Sequence, residues 1–213
     1  MLGATPPRWR RRKDARPGEI VAAALAVFAE RGFAAARLDD IAARAGVSKA
    51  ALYLYFDTKE ALFRAVASEA VAPNLAVVKA AAAHYDGPLE DLARTLLPAL
   101  AATAASRPEL GGVIKMVIGE SRNFPQLAKV WHDTLVAPAI EAITALIARG
   151  QARGEVKPGD PRVFALGLIA PVLLGVVWRE TFVPVGAAPF DLEALARQHA
   201  ETVLHGLLSE AGA

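Results

Sequence analysis

Apolar residues recur along most of the chain at the three- and four-residue spacing that is typical of one face of an α-helix. In the first such segment these positions include Ile20, Ala24 and Phe28, and no segment shows a convincing strand alternation. Glycine and proline separate the segments, as in the loop "GEVKPGDP" at residues 154–161. The pattern therefore predicts an all-α protein.

The positions of these glycines and prolines predict where the helices begin and end. Residues 73–85 either extend the fourth helix or form a separate one, and four prolines are expected to kink or break their helices: Pro73, Pro98, Pro138 and Pro171. The predicted helices are 17–31, 38–45, 49–55, one from Asp57 or Thr58 past Val71, then about 88–105, 108–121, 125–150, 161–183 and 191–209.

The stretch "AGVSKAALYLYF" at residues 45–56 predicts a tight turn followed by a very short helix. Gly46 stands where a left-handed residue ends the preceding helix, a conformation that glycine adopts most easily. Ser48 can cap the helix 49–55, and Leu52 turns inward to fix the crossing. Two helices joined in this way form a helix-turn-helix.

The outward face of this short helix has the size and chemistry that suit a DNA major groove. Seven residues span ~10 Å, close to the ~12 Å groove width. Ala50 and Ala51 are small enough to approach base edges, and Lys49 can reach a base or a phosphate. The Tyr53 hydroxyl suits a phosphate oxygen. Lys59 adds a cation at the start of the next helix. The sequence thus predicts binding to double-stranded DNA.

The stretch "ERGFAAARLDDIAARAGVSKAALYLYFDTKEALF" at residues 30–63 resembles the DNA-binding domain of the TetR family of bacterial transcriptional repressors. The segment "RPELGGVIKMVIGESRNFPQLAKVWHD" at 107–133 is similar to the AefR-like type of C-terminal domain. The elements that carry the first resemblance are Gly32-Phe33, Ile41-Ala42, Ala45-Gly46-Val47-Ser48, Leu52-Tyr53, Tyr55-Phe56, and Lys59-Glu60 with Leu62.

The resemblance implies a three-helix helix-turn-helix domain at residues 18–66 and a larger helical effector-binding and dimerisation domain at 67–213. It implies a repressor that binds a palindromic operator and needs no cofactor. A small apolar or amphipathic effector would release this repressor from DNA by moving the linking helix 58–71. Regulation without a ligand, or through a protein partner, is the alternative. The predicted DNA contacts are Arg37, Ser48, Lys49, Ala50, Ala51, Tyr53, Tyr55 and Lys59.

One position departs from the family pattern, which usually has Thr or Ser just before the second helix. Here Ala36-Arg37 holds that place, so we expect the helix to lose its side-chain cap. Asp39 and Asp40 in the first turn partly offset the loss. We expect Arg37 to take over a phosphate contact.

The charge distribution favours a polyanion at the N-terminal end. Residues 1–60 hold eleven Lys and Arg against seven Asp and Glu, and the remainder holds thirteen against fifteen. We expect residues 1–17 to form an arm that is disordered in the free protein and adds sequence-independent attraction to DNA. Its cations are Arg8, Arg10, Arg11, Arg12, Lys13 and Arg16.

Specific DNA binding by one short helix predicts a homodimer, because one copy reads only a few base pairs. The last two helices have more apolar surface than one face can hide, although this surface could also serve only the intramolecular core. The predicted dimer contacts are Gly167, Pro171 and Gly175 on the first of these helices, and Leu195, His199 and Val203 on the second.

The large apolar side chains of the middle helices predict a cavity for the effector, with a few polar groups to orient it. Taken singly, each such side chain is more typical of a core. The residues predicted to form this pocket are Met116, Glu120, Phe124, Trp131, His132, Trp178 and Phe182.

The sequence argues against an enzyme and against a membrane protein. The four histidines lack metal-site spacing, and neither a nucleophile elbow nor a phosphate-binding loop is present. The apolar run 163–178 has 16 residues, short of the ~20 that a membrane span needs. A chain without cysteine fits a reducing compartment. We therefore expect a cytoplasmic protein without catalytic or metal-binding residues.

Overall fold

The computed structural model describes residues 16–209, apart from the side chains of Arg16, residues 70–74, Val77 and Ala81. The predicted all-α fold is confirmed: the described part contains helices and a single isolated β-bridge. The helices are α1 (Arg16–Ala35), α2 (Leu38–Arg44), α3 (Lys49–Tyr53), α4 (Lys59–Ala65), α5 (Ala72–His84), α6 (Leu89–Ser106), α7 (Pro108–Glu120), α8 (Pro125–Trp131), α9 (Ala137–Ala152), α10 (Pro161–Thr181) and α11 (Leu192–Leu207).

Two π-helical turns join neighbouring helices into longer rods. Val66–Val71 connects α4 to α5, and His132–Val136 connects α8 to α9. The fourth helix therefore continues to His84 rather than giving way to a separate one. Pro98 and Pro171 lie inside α6 and α10, and neither of them breaks its helix.

The turn between α2 and α3 follows from three residues of the sequence. Gly46 has a φ of 67°, the left-handed conformation expected of it. The Ser48 hydroxyl caps α3 by accepting a hydrogen bond from the Ala51 N–H at 3.1 Å. Leu52 is fully buried and anchors α3 to the helices behind it. These local features fix the helix-turn-helix geometry.

Aromatic rings form the centre of the first hydrophobic core. The Phe33 ring centroid lies 5.6 Å from that of Phe28, 6.1 Å from that of Phe63 and 5.2 Å from that of Phe124. Buried side chains of α7 and α8 belong to the same core, including Leu127. This first core therefore extends across the predicted boundary between the segments 18–66 and 67–213.

The second core lies among α5, α6, α9, α10 and α11. Ile147 of α9 and Ala196 of α11 are fully buried in it. Beyond α11, the Ser209 N–H donates to the Glu155 carbonyl at 2.9 Å, and Val156 pairs with Leu208 in the isolated bridge. These contacts fasten the end of the described chain to the loop between α9 and α10.

Within residues 16–209, two helical stretches are long and apolar enough to cross a membrane on length and composition alone. They are Pro125–Ala152 and Pro161–Val185, and the second includes the apolar run noted in the sequence. Core helices of proteins outside membranes meet the same criterion, so this observation is weak evidence for a span.

Replacing Gly46 by Ala tests the turn. We expect Gly46→Ala to lower the free energy of unfolding by about 1–2 kcal/mol, because a Cβ disfavours positive φ while the space around it is open. The matched variant is Gly119→Ala in α7, where the space around an added Cβ is also open. Its free energy of unfolding should rise by roughly 0.5–1 kcal/mol, because alanine favours a helix more than glycine does. Urea unfolding of both variants measures the difference, and equal effects would contradict this role for Gly46.

Candidate nucleic-acid interface and ligand cavity

The face of α3 away from the core is open to solvent. Lys49 and Ala50 are exposed, Ala51 is half-buried, and Tyr53 keeps 42% of its surface accessible. Only Leu52 within α3 is buried. The helix therefore presents small and polar side chains on a rigid support, as a groove-reading helix must.

The chain leaves α3 earlier than the sequence pattern predicts. The helix ends at Tyr53, and Tyr55 follows in a turn in which its N–H donates to the Leu52 carbonyl at 3.0 Å. Between them Leu54 is 82% exposed, a feature that the sequence reasoning missed. Leu54 lies two positions after the buried Leu52, and that spacing alone places it on the opposite side of the helix.

Acidic residues neutralise several of the cations near α3. The Lys49 ammonium lies 2.8 Å from an Asp39 carboxylate oxygen, and this hydrogen-bonded carboxylate raises the pKa of Lys49. Arg31 pairs in the same way with Asp40 at 2.5 Å. Two acidic residues in the first turn of α2 thus neutralise these cations, and the predicted contact of Lys49 with DNA would require Lys49 to leave Asp39.

Arg37 is the exposed cation at the start of α2. It occupies the N-cap position without a side-chain cap, as the departure from the family pattern predicts. The Arg37 carbonyl accepts the Ile41 N–H at 3.2 Å, while its guanidinium has no hydrogen bond or ion pair with the described residues. Its charge is therefore available to a phosphate.

Lys59 does not have the role predicted from the sequence. Its ammonium donates to the carbonyls of Phe33, Ala34 and Ala36 at 2.5, 3.3 and 3.0 Å, and lies 4.5 Å from the centre of the Phe33 ring. An ammonium has three donors, and all of them are used inside the protein. The predicted phosphate contact of Lys59 is corrected to a structural one. The basic side chains of the arm lie outside the described residues.

A cavity of about 410 Å³ lies in the C-terminal helices. The described residues that line it are all apolar and come from α5 to α10 and the second π-helical turn. They are Leu75, Val78, Leu97, Leu100, Ala104, Ile114, Val117, Ile118, Trp131, Leu135, Val136, Ala139, Ile143, Ile169, Val172, Leu173 and Val176. Three of them are substantially exposed and mark its opening: Ile118, Val136 and Leu173.

The cavity contains only one of the seven residues predicted to form the pocket. Trp131 lines it, whereas Met116 and Phe124 pack into the aromatic core beneath the DNA-binding helices. Glu120 binds the backbone N–H groups of Phe33 and Ala34. Helical spacing identifies an inward face, but it does not distinguish a core from a cavity.

The other three predicted pocket residues lie on the surface or in a separate aromatic cluster. His132 is exposed and pairs with Asp133 at 2.9 Å. The Trp178 ring lies 4.9 Å from that of Phe182, and its indole N–H donates to the Ala188 carbonyl at 3.0 Å. The polar groups expected in the pocket are therefore absent from its described lining.

The predicted dimer residues divide between two environments. Gly175 is buried under α11, where an added Cβ would lie 2.7 Å from Leu192 and 2.9 Å from Leu195. Its expected role in a dimer contact is corrected to close packing of α10 against α11. Gly167 is exposed, and its carbonyl lies 3.0 Å from the His199 ring nitrogen. Pro171 and Val203 are half-buried.

α10 has an exposed apolar stripe whose residues the sequence pattern did not identify. Val163 and Leu174 are each 64% exposed, Leu166 is 57% exposed, and Ala170 is also exposed. Their spacing places them on one side of the helix. No group of His, Asp or Glu in residues 16–209 has the geometry of a metal site.

Two family patterns match the sequence. The pattern described as "Bacterial regulatory proteins, tetR family" matches residues 20–66. The pattern described as "Tetracyclin repressor-like, C-terminal domain" matches residues 83–191. Together they cover the helix-turn-helix and most of the bundle with the cavity, while the AefR-like resemblance stays a prediction.

Individual proteins show the same similarity. The transcriptional regulator RutR of Escherichia coli K12 is 32% identical over 163 residues, covering 70% of this chain and 68% of RutR. The transcriptional activator FasR of Mycolicibacterium smegmatis is 50% identical over 54 residues, only 25% of each chain. SmeT of Stenotrophomonas maltophilia in complex with triclosan has a TM-score of 0.77, 22% identity, and coverage of 93% and 94%, which shows a shared fold.

Substitutions at Arg37 and Asp39 test the charge balance beside α3. We expect Arg37→Ala to weaken binding to all DNA duplexes about equally and to reduce the salt slope by about 1. Asp39→Asn frees Lys49 and should tighten binding roughly two- to fivefold, the range for an exposed ion pair. Fluorescence anisotropy at two salt concentrations measures both effects, with Glu141→Gln on α9 as control. Weaker binding by Asp39→Asn would contradict a competition between Asp39 and DNA for Lys49.

Proposed function

Because the chain belongs to the TetR family of DNA-binding transcriptional regulators, we propose that it is a homodimeric repressor of a palindromic operator. We further propose that a small apolar effector in the cavity releases it from DNA. The observation that carries the proposal is the solvent-facing α3, which Gly46 and Ser48 hold rigidly against the core.

The proposed DNA contacts lie at the start of α2 and along α3. Arg37 contacts a phosphate, and Lys49 leaves its ion pair with Asp39 to contact DNA. The small side chains of Ala50 and Ala51 allow the helix to approach base edges. The hydroxyls of Ser48, Tyr53 and Tyr55 stand at the edges of this surface and suit phosphate oxygens. The N-terminal arm adds sequence-independent attraction in the proposal.

The proposed dimer uses the exposed stripe of α10, formed by Val163, Leu166, Ala170 and Leu174. A contiguous apolar stripe of this kind is typical of a protein interface. The half-buried side chains of Leu195, His199 and Val203 on α11 extend the same proposed surface. A second copy covering the stripe also explains why so apolar a helix has little of its surface buried in one chain.

The cavity supports an uncharged effector. Its described lining offers no charged side chain, and the Trp131 indole is its one side chain with a hydrogen-bonding group. Transfer of an unpaired charge into such a site is strongly unfavourable. A volume of about 410 Å³ lies within the ~300–1,000 Å³ range of small-molecule pockets. SmeT, which has the same fold, was solved with triclosan.

The proposed release acts through the rod formed by α4, the first π-helical turn and α5. Leu75 and Val78 of α5 line the cavity, whereas Leu62 and Phe63 of α4 are buried behind the helix-turn-helix. A ligand that displaces α5 would therefore change the position of α4 and the separation of the two α3 helices. Differential affinity for the two arrangements then shifts the population.

Repression is the proposed sense of regulation, and it follows the family rather than a residue of the chain. The relatives include FasR, an activator, and SmeT, a repressor. TetR-family regulators are generally non-enzymatic DNA-binding proteins, and we propose that this chain likewise acts without catalysis, in the cytoplasm. A reporter gene placed behind the operator found by selection from random duplexes would show whether the chain represses or activates transcription.

Selection from random duplexes, followed by footprinting, tests the operator and the dimer together. We expect two inverted half-sites about 34 Å apart or at a related spacing. The double variant Leu166→Glu, Leu174→Glu places charges in the proposed interface and should sediment with the mass of one chain, while the wild type has twice that mass. Leu54→Glu is the control, since Leu54 is also exposed but lies beside α3. A dimeric double variant would exclude this interface.

A matched pair of ligands tests the cavity. At a concentration 100 times its Kd, decanol should raise the Tm by roughly 5–10 °C, because ligand binding then adds about 2.7 kcal/mol. Decanoate, which has the same chain length and a charge, should raise it much less. In Ala139→Trp the bulky ring occupies part of the cavity, so the decanol shift should become smaller. An undiminished shift in this variant would place the ligand elsewhere.

A further inference from the structure

A carboxylate at the end of α7 reaches across to the helix-turn-helix. One Glu120 oxygen accepts the Phe33 N–H at 2.9 Å, and the other accepts the Ala34 N–H at 2.8 Å. The two residues are 87 and 86 positions away in sequence. Both oxygens of one side chain therefore bind one short stretch of α1.

Gly32 explains why these N–H groups are available. Its φ of 76° and ψ of 171° interrupt α1, so the residues that follow it lack the acceptors that an unbroken helix supplies. An added Cβ at Gly32 would also lie 2.2 Å from a Glu120 oxygen. Glycine is thus needed both for the backbone conformation and for the approach of the carboxylate.

The carbonyl side of the same stretch is held by a different helix. Lys59 of α4 binds the carbonyls of Phe33, Ala34 and Ala36. In the segment 33–36, the first two N–H groups are therefore held by the C-terminal bundle, and three carbonyls are held by the linking rod. Both Glu120 and Lys59 bind backbone groups of Phe33, and the Phe33 ring packs at the centre of the aromatic core.

The helix that carries Glu120 is also a wall of the cavity. Ile114, Val117 and Ile118 of α7 line the cavity, and Glu120 follows Ile118 by two residues on the same helix. Gly112 of α7 lies so close to α1 that an added Cβ would be 2.7 Å from Ala29. A displacement of α7 by cavity contents would therefore move the carboxylate relative to α1.

We infer that Glu120 is a positioning residue for DNA recognition: it fixes the direction of the helix-turn-helix relative to the C-terminal bundle. The inference rests on the proposed DNA-binding function. It gives α7 a direct connection from the cavity to α1, beside the connection through the α4–α5 rod. Glu120 acts through Phe33 and Ala34 and does not itself contact DNA.

Three variants and a matched control test this role. Glu120→Ala removes both acceptors, Glu120→Asp shortens the side chain, and Glu120→Gln keeps its size but replaces one acceptor by a donor. Glu109→Gln removes an exposed carboxylate from the first turn of the same helix. Circular dichroism and thermal unfolding establish that each variant is folded, and Glu120→Gln provides the readout should Glu120→Ala fail to fold.

Amide hydrogen exchange measures the contact without DNA. We expect the Phe33 and Ala34 amides to exchange about tenfold faster in Glu120→Ala than in the wild type, with Glu120→Asp and Glu120→Gln between them. Glu109→Gln should leave both rates unchanged. Unchanged rates in all Glu120 variants would overturn the inference, whatever the DNA results.

The DNA readout separates positioning from a merely structural role. The selected operator is compared with versions whose half-sites are moved apart or together by one base pair. The wild type and Glu109→Gln should lose about tenfold in affinity on the altered spacings, and Glu120→Gln should lose only two- to threefold, because its helix-turn-helix is less firmly oriented.

The exchange and DNA results together distinguish a positioning role from a purely structural contact and from a failure of the proposed function. Faster exchange together with a wild-type spacing preference would overturn the positioning role and leave Glu120 as a structural contact. A wild type that binds no duplex would overturn the proposed function and, with it, the positioning role. Faster exchange with a flattened spacing preference supports both.

Discussion

The packing of Phe33 joins the two halves of the molecule. Its ring contacts Phe28 and Phe63 of the DNA-binding helices and also Phe124, which precedes α8. A buried ring of this size contributes several kcal/mol in most cores. The helix-turn-helix is therefore not an independent unit on a flexible linker, and its orientation depends on the bundle that contains the cavity.

α10 has different surroundings on two of its faces. Ile169, Val172 and Val176 line the cavity, whereas Leu166 and Leu174 face solvent and form the proposed dimer contact. In the proposed dimer, this one helix would separate the ligand from the partner chain. In the proposed mechanism, a ligand that moves α10 acts on the partner without any intervening loop.

The sequence predicted what depends on neighbouring residues. Gly46, Ser48 and Leu52 specify the turn, its cap and its anchor within seven positions, and these interactions are local enough to be read from the pattern. The role of Lys59 depended on three carbonyls 23 to 26 residues away. The cavity lining likewise depended on how six helices meet. Periodicity indicates that Trp131 and Phe124 are both inward, but not that only Trp131 borders empty space.

The π-helical turn at Val66–Val71 sets the rotation of α5 relative to α4 within the linking rod. A π-helical turn accommodates one residue more than an α-helical turn, which corresponds to about 100° of rotation about the helix axis. Removing that residue would rotate α5 against α4 while Leu62 and Phe63 kept their places. The cavity-lining residues Leu75 and Val78 would turn with α5, so such a deletion would reshape the cavity without changing how α4 packs.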